Sequence, residues 1–393
     1  MKKFLEYFLV VLLVLVSGNP VVSNRFVYPV LGIAGLAFII SRMRGKDARI
    51  LSAYIGCFCL LFFGQYLVLG ALSVLGAANH ICKLLSGVAV LLFVGENFRD
   101  RFLDVMAAMA GVSLVFYICQ LCGLMVPDLF PTSSENLHSV LIHNVNIARD
   151  EYLRNSGPFW EPGAFFGLLF LSLILYLGDM RELVFNRPLH TGLILAAIVT
   201  TRSTGGYICT SLLIAFFLIV VMYRNKWWYY LSVVAVLAAG LALFMYVPFM
   251  GDKIVHQFEI SRQQMKYEDK PEYFESRSGS LVVDMYYVGK HPVVGNGFRE
   301  ETRFVDHEEY WDRIRDGHSN GFSNLFAQFG IPMALLYFVL LYFRLPFKEY
   351  RKWVFLLLYI LLLQEEQFLN FPLFIALPFI ILPKVCPQPS QAC

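Results

Sequence analysis

The chain has 393 residues, of which 58% are apolar and only 16% are charged, whereas about a quarter of the residues in an ordinary soluble domain are charged. This composition excludes an ordinary soluble fold. A dozen membrane-crossing helices of about 20 residues each would use most of the apolar share. The 32 basic and 29 acidic residues leave a net charge of +3. The chain therefore has no overall basic field, and nucleic acid is not an expected partner.

Hydropathy and helix-breaking residues predict about twelve transmembrane helices, so the expected fold class is an all-α polytopic membrane protein. The predicted segments lie near residues 4–17, 26–41, 50–70, 81–95, 105–126, 158–178, 189–201, 204–223, 227–247, 321–343, 353–367 and 369–383. The first segment follows two lysines, as in a signal peptide. Residues 17–20 form a poor cleavage site, so we expect this segment to be retained as a helix.

The distribution of basic residues over the loops predicts the orientation of these segments in the membrane. With the N-terminus inside, the short inward segments collect seventeen basic residues and the short outward segments only four, so the positive-inside rule predicts that both termini are cytoplasmic. The expected organisation is transmembrane helices 1–5 in 1–126, an outward loop in 127–157, helices 6–9 in 158–247, a large outward loop between helices 9 and 10 in 248–320, helices 10–12 in 321–383 and a cytoplasmic tail in 384–393.

Arg202 is the clearest candidate for a functional residue. The predicted segment before it, 189–201, would make a helix only about 20 Å long, whereas the hydrocarbon core is about 30 Å thick. Arg202 is therefore expected below the membrane surface, beside an irregular turn at 203–206, and charged groups at such depth are usually functional. A side chain that merely extends to the interface is the alternative. A second polar turn, 364–367, lies between two short segments, and together the two turns predict an outward-open cavity.

Further candidates lie on the outward side. Glu161 precedes Pro162 at the start of a segment, where it caps the helix and can also face the cavity, and Trp160 suits the membrane interface. Arg277 lies in the large loop. His318, at the end of that loop, can accept a proton at neutral pH.

No metal or cofactor is expected. His138 and His143 lie five positions apart, and an acidic cluster occupies 306–309. Neither set has a reliable metal-ligand spacing.

Four local patterns, in this order, resemble those of the bacterial O-antigen and capsule repeat-unit polymerases (Wzy), which are related to the O-antigen ligases (WaaL). The first two are Arg154 with Phe159-Trp160-Glu161-Pro162-Gly163, and Thr201-Arg202-Ser203-Thr204-Gly205-Gly206. The other two are Arg277 with His291-Pro292-Val293-Val294-Gly295-Asn296-Gly297, and His318-Ser319-Asn320 with Gly330-Ile331. In many relatives the asparagine directly follows the histidine, whereas Ser319 intervenes here. The topology also resembles that of the family.

The resemblance implies a GT-C-like glycosyltransferase of the bacterial inner membrane, with both outward loops in the periplasm. It would polymerise undecaprenyl-diphosphate-linked oligosaccharide repeat units into O-antigen or capsular polysaccharide, with inversion and without a metal or other cofactor. Arg202, Arg277 and Arg154 would bind the diphosphate, Trp160 and Asn320 would contact the glycan, and His318 or Glu161 would act as the base. Donor and acceptor are both carrier-linked, the surrounding lipid is a further partner, and a flippase and a chain-length regulator are expected to cooperate with the enzyme.

Two alternatives stay open. An O-antigen ligase would transfer the finished glycan to lipid A core or to a protein. A lipid-linked sugar transporter or flippase would also have about twelve helices and broken segments. Transporters commonly have matching halves, whereas only the second half of this chain carries a large charged loop.

Overall fold

The structure, a computed structural model, describes residues 1–23, 26–71, 73–124, 127–130, 132, 137–147, 154–222, 230, 234, 277–303 and 320–383. These residues are mostly helical. The helices are α1 (Lys2–Val16), α2 (Val27–Arg42), α3 (Gly45–Leu69), α4 (Val74–Val94), α5 (Phe98–Leu121), α6 (Pro162–Ile174), α7 (Pro188–Thr201), α8 (Thr204–Met222), α9 (Arg277–Lys290), α10 (Glu300–Arg303), α11 (Gly321–Arg344), α12 (Glu349–Leu363) and α13 (Pro372–Ala376). A short antiparallel hairpin, β1 (Leu137–Ser139) and β2 (Asn144–Asn146), lies between α5 and α6.

Three helical stretches are long and apolar enough to cross a membrane: Gly45–Leu69, Val74–Leu121 and Gly321–Arg344. Shorter apolar helices are Val27–Arg42, Pro162–Ile174, Pro188–Thr201 and Thr204–Ile219. The prediction of a helical chain of membrane type is therefore confirmed. The number of twelve crossings stays a prediction.

The helices follow most of the predicted segments. α1 to α8 coincide with the first eight, α11 and α12 with the tenth and eleventh, and segment 227–247 lies outside the described residues. The last segment differs, because 369–383 is broken into a 3-10 turn (Phe368–Asn370), the short α13 and a second 3-10 turn (Leu377–Phe379). Pro372 begins α13 and Pro378 lies in the second turn. Since proline has no backbone N–H, these positions interrupt the helical hydrogen bonds.

Ion pairs join the helices at one end of the bundle, which we call the ionic end. Its central pairs are Arg101 with Glu6 at 3.0 Å, Arg99 with Glu182 at 3.2 Å, and Arg187 with Asp104 at 2.9 Å. Because several of these groups are largely buried, loss of one partner would leave a charge uncompensated, at a cost of about 3–5 kcal/mol.

Two further contacts belong to the ionic end. Arg344 pairs with Asp47 at 2.6 Å, which joins the end of α11 to the start of α3. Arg351 donates to the carbonyl oxygen of Leu177 at 3.1 Å, which joins the start of α12 to the end of α6. Arginines from three segments predicted to be cytoplasmic therefore lie at the same end of the bundle.

Candidate functional site

The opposite end of the bundle holds the irregular turns predicted from the sequence, and we call it the turn end. It comprises the C-terminus of α7, the N-termini of α6 and α11, and the turn 364–367. α7 begins directly after Arg187 at the ionic end and ends directly before Arg202 at the turn end, and its 14 residues span about 21 Å.

The segment before α6 docks onto the end of α7 through Asn155. The fully buried Asn155 donates its backbone N–H to the carbonyl oxygen of Thr200 at 3.0 Å. Its side-chain amide donates to the hydroxyls of Thr200 at 2.9 Å and Ser113 at 3.1 Å. Arg154, the residue before it, donates through Nε to the carbonyl oxygen of Thr201 at 3.1 Å. This docking brings Arg154 beside Arg202.

Arg202 ends α7 in the left-handed conformation, with φ 50° and ψ 38°. This conformation costs an L-residue with a Cβ about 1–2 kcal/mol, and such strain is concentrated at functional sites. Arg202 is half-buried, and Arg154 donates to the carbonyl oxygen of Thr201, the residue directly before Arg202. The turn end therefore presents two arginines close together.

Glu365 lies directly under the turn after Arg202. Its Oε2 accepts from the Ser203 hydroxyl at 3.4 Å, and the residue is 7% exposed. A Cβ on Gly205 would lie 2.5 Å from Oε2 and would overlap Oε1. The carboxylate thus occupies space that only glycine leaves open. Glu365 lies in the polar turn predicted at 364–367 but is not one of the predicted site residues, although the glycine pair at 205–206 was an available signal.

Glu161 and Glu366 approach the same glycine. A Cβ on Gly163 would lie 3.1 Å from Oε1 of Glu161 and 3.3 Å from Oε1 of Glu366. Glu161 occupies the N-cap position of α6, yet its side chain makes no capping hydrogen bond to this helix. The interpretation of Glu161 as a helix cap alone is therefore not supported. Glu366 is a candidate that sequence reasoning missed.

Asn320 and Trp160 complete the described part of the turn end. Asn320 is almost buried, and its side-chain oxygen accepts from the Ser323 N–H at 3.1 Å as the N-cap of α11. A Cβ on the neighbouring Gly321 would lie 2.9 Å from the Cα of Gln367, so α11 begins against the acidic turn. The Trp160 ring packs against Phe371 at 5.1 Å. Asn320 thus has a structural role beside its predicted contact with substrate.

The side chains of two predicted site residues, Arg277 and His318, cannot be located relative to the turn end. Arg277 begins α9, but its side chain lies outside the described residues, as does His318. On α9, Asp284 forms a buried pair with Arg303 and accepts from the Ser323 hydroxyl in the first turn of α11. This contact places the middle of α9 beside the residues that follow Asn320. The roles of Arg277 and His318 stay predictions.

Residues 291–297, the His-Pro and Gly-x-Gly pattern, have a structural role. α11 is kinked at Gly330, where φ is 75°, and the 291–297 turn fits into this break. The N–H of Ile331 donates to the carbonyl oxygen of Pro292 at 2.7 Å, and that of Gly297 to Gln328 at 3.1 Å. The Gln65 amide donates to the carbonyl oxygens of both Val294 and Gln328. The turn therefore provides hydrogen-bond partners for backbone N–H and carbonyl groups that the kink would otherwise leave without them.

Within the described ranges, no group of three or more His, Cys, Asp or Glu residues is placed to hold a metal ion. His143 is fully buried and stacks on Phe116 at 5.1 Å, and burial lowers its pKa to about 4. The acidic cluster 306–309 lies outside the described residues.

The fold defines a mostly helical protein with helices of membrane type, whose turn end gathers arginines and carboxylates. No protein-family model, curated protein or solved structure matches the chain.

Proposed function

We propose that the protein is a membrane glycosyltransferase that polymerises undecaprenyl-diphosphate-linked repeat units into O-antigen or capsular polysaccharide. The observation that carries the proposal is the meeting of Arg154 and Arg202 with Glu161, Glu365 and Glu366 at the turn end. These residues come from three separate parts of the chain. In the proposed topology of about twelve helices, the turn end faces the periplasm and the ionic end faces the cytoplasm.

The arginines suit the leaving group of this reaction. A diphosphate leaves as an anion and needs positive charge rather than a proton, and a guanidinium can bind two phosphate oxygens at once. In a site shielded from water, such donors are typically worth about 3–4 kcal/mol in the transition state. Arg202 and Arg154 supply this charge, and Arg277 is the third arginine proposed to bind the diphosphate.

A carboxylate supplies the base. The attacking sugar hydroxyl is a weak nucleophile, and a positioned base contributes about 10²–10⁴-fold. Glu161 is our first candidate because its carboxylate does not cap α6, and Glu366 lies across the same glycine. His318 is the alternative base. A single displacement on the sugar inverts the anomeric centre, and the arginines supply the charge that a metal provides in other glycosyltransferases.

The proposed location is the bacterial inner membrane, with a flippase that delivers the substrate and a regulator that sets chain length. A ligase would use the same donor, and its acceptor, lipid A core or a protein, distinguishes the two. A flippase needs no residue that activates a hydroxyl, so an essential Glu161 argues against it.

Complementation of a polymerase deletion tests the proposal. Arg202→Ala and Glu161→Gln should each remove long-chain glycan from a gel while single repeat units persist, at membrane abundance equal to that of the unchanged protein. Arg181→Ala is the matched control, because Arg181 is exposed and lies outside the turn end. Wild-type chain length from both site variants would overturn the proposed site. Loss of every glycan, single units included, would favour the flippase.

A further inference from the structure

An apolar groove lies between α1, α2 and α4, away from the turn-end site. It has a volume of about 660 Å³ including its open mouth. Its walls are hydrocarbon side chains from all three helices, among them Leu9, Leu13, Leu31, Phe38, Val90 and Phe93. Ser86 is the polar side chain on its wall, and its hydroxyl already donates to the carbonyl oxygen of Lys83 at 2.9 Å. The groove therefore suits a hydrocarbon chain.

Glycines create the groove by holding α2 tightly against α4. A Cβ on Gly32 would lie 2.6 Å from the Cβ of Cys82, and a Cβ on Gly35 would lie 2.8 Å from the carbonyl oxygen of Leu85. α1 packs beside this close pair, and a channel stays open between them. Each helix lines the channel over about two turns, or roughly 10 Å.

Lys83 lies on α4 one turn before Ser86, just beyond the residues that line the groove and on the side toward the turn end. It precedes Ser86 by one turn and Val90 by two turns, so it shares their face of α4. Side chains tilt toward the helix N-terminus, and its ammonium lies 4.7 Å from the centre of the Tyr28 ring at the start of α2. Within the described parts of the chain, no carboxylate forms an ion pair with Lys83.

We propose that this groove binds one anionic phospholipid, with an acyl chain between α1, α2 and α4 and the phosphate on Lys83. A cation in a membrane helix needs a counter-charge, and here the lipid supplies it. α1 and α2 have 15 and 16 residues and so span only about 22–24 Å, less than the hydrocarbon core of about 30 Å. The bilayer thins around short helices, which brings headgroups down to the level of Lys83.

The test measures which lipid stays bound to the full chain. The protein is assembled in nanodiscs of equimolar phosphatidylglycerol and phosphatidylcholine with identical acyl chains and then released into mild detergent. Bound lipid is counted by native mass spectrometry. The unchanged protein should retain phosphatidylglycerol over phosphatidylcholine by about fivefold, the preference expected from one lysine near the membrane surface.

Two variants separate the headgroup from the chain. Lys83→Gln should keep the bound lipid but lose the preference. Ala34→Phe, which fills the groove from α2, should lose the lipid itself. Ala37→Phe is the control for bulk, because Ala37 is exposed on the same helix and does not line the groove, and Lys352→Gln is the control for charge. Both controls should behave like the unchanged protein.

Three results would overturn the proposal. The first is an unchanged preference for phosphatidylglycerol in Lys83→Gln, and the second is full retention of lipid in Ala34→Phe. The third is displacement of phosphatidylglycerol by undecaprenyl phosphate at low mole fraction, which would assign the groove to the carrier lipid instead. None of these readouts depends on glycan synthesis, so the proposal and the proposed polymerase activity fail or succeed separately.

Discussion

Replacement of Gly205 by alanine should displace the Glu365 carboxylate from the turn after Arg202. A Cβ at this position would lie 2.5 Å from Oε2 of Glu365, whereas ordinary contact begins at 3.4 Å. The carboxyl group must therefore retreat by about 1–2 Å. Because Glu365 is almost buried, its side chain has little free space into which it can retreat.

The displacement has two measurable consequences. The hydrogen bond from Ser203 to Glu365 is lost, and a bond to a charged group is worth about 1.5–3 kcal/mol. A misplacement of about 1 Å in a catalytic arrangement can cost about 10²-fold in rate. We therefore expect Gly205→Ala to lower the free energy of unfolding by no more than about 3 kcal/mol and the polymerisation rate by about 100-fold.

The assay combines the thermal unfolding midpoint of the detergent-solubilised chain with glycan length in the complemented deletion strain. Gly192→Ala in α7 is the control, because a Cβ there meets open space. In a Gly205→Ala background, Glu365→Asp shortens the acid by one methylene group and should restore part of the lost stability. Wild-type stability together with wild-type chain length from Gly205→Ala would refute the assigned position of Glu365.

Three further perturbations test other parts of the structure. Arg202→Gly should leave the unfolding midpoint unchanged or raise it, since φ is 50° at this position and suits glycine, yet it should abolish long-chain glycan. Retained activity would mean that Arg202 only extends to the interface. Gly330→Ala should lower the unfolding free energy by about 3 kcal/mol or more, because φ is 75° at this position and a Cβ would lie only 2.6 Å from the Val293 carbonyl carbon. Gly56→Ala, where the Cβ would meet open space, should not lower it. Burial lowers the pKa of His143 to about 4. As the pH falls, the histidine of the unfolded chain is therefore protonated before that of the folded chain. The free energy of unfolding should consequently fall by about 3 kcal/mol as the pH drops from about 6.5 to 4. If His143→Phe showed an equally steep pH dependence, the loss of stability would have to come from another titrating group.

The positions of most helices could be predicted from the sequence because hydropathy alone determines them. The short segment before Arg202 predicted that this residue ends a helix in an irregular turn, and the structure places it there. The final segment was harder, because its apolar composition indicated a crossing helix, whereas Pro372 and Pro378 divide it into short pieces.

The contacts at the turn end could not be predicted in the same way. Hydropathy does not show which helix ends are neighbours, so the approach of Glu366 to Glu161 and of Glu365 to Gly205 depends on packing that the pattern does not record. The kink at Gly330 was also hidden inside a continuous apolar run. Pro332, inside the predicted helix, was the one local signal of a break, because proline disrupts the interior of a helix.

Reconstitution tests most directly the proposal that the turn end catalyses glycan polymerisation. The full chain in liposomes is given undecaprenyl-diphosphate-linked repeat units as both donor and acceptor, with EDTA present. We predict a ladder of products, each one repeat unit longer than the last, which disappears with Arg202→Ala and persists with Arg181→Ala. Failure of the purified protein to join any two repeat units, or an identical ladder from Arg202→Ala, would contradict the account.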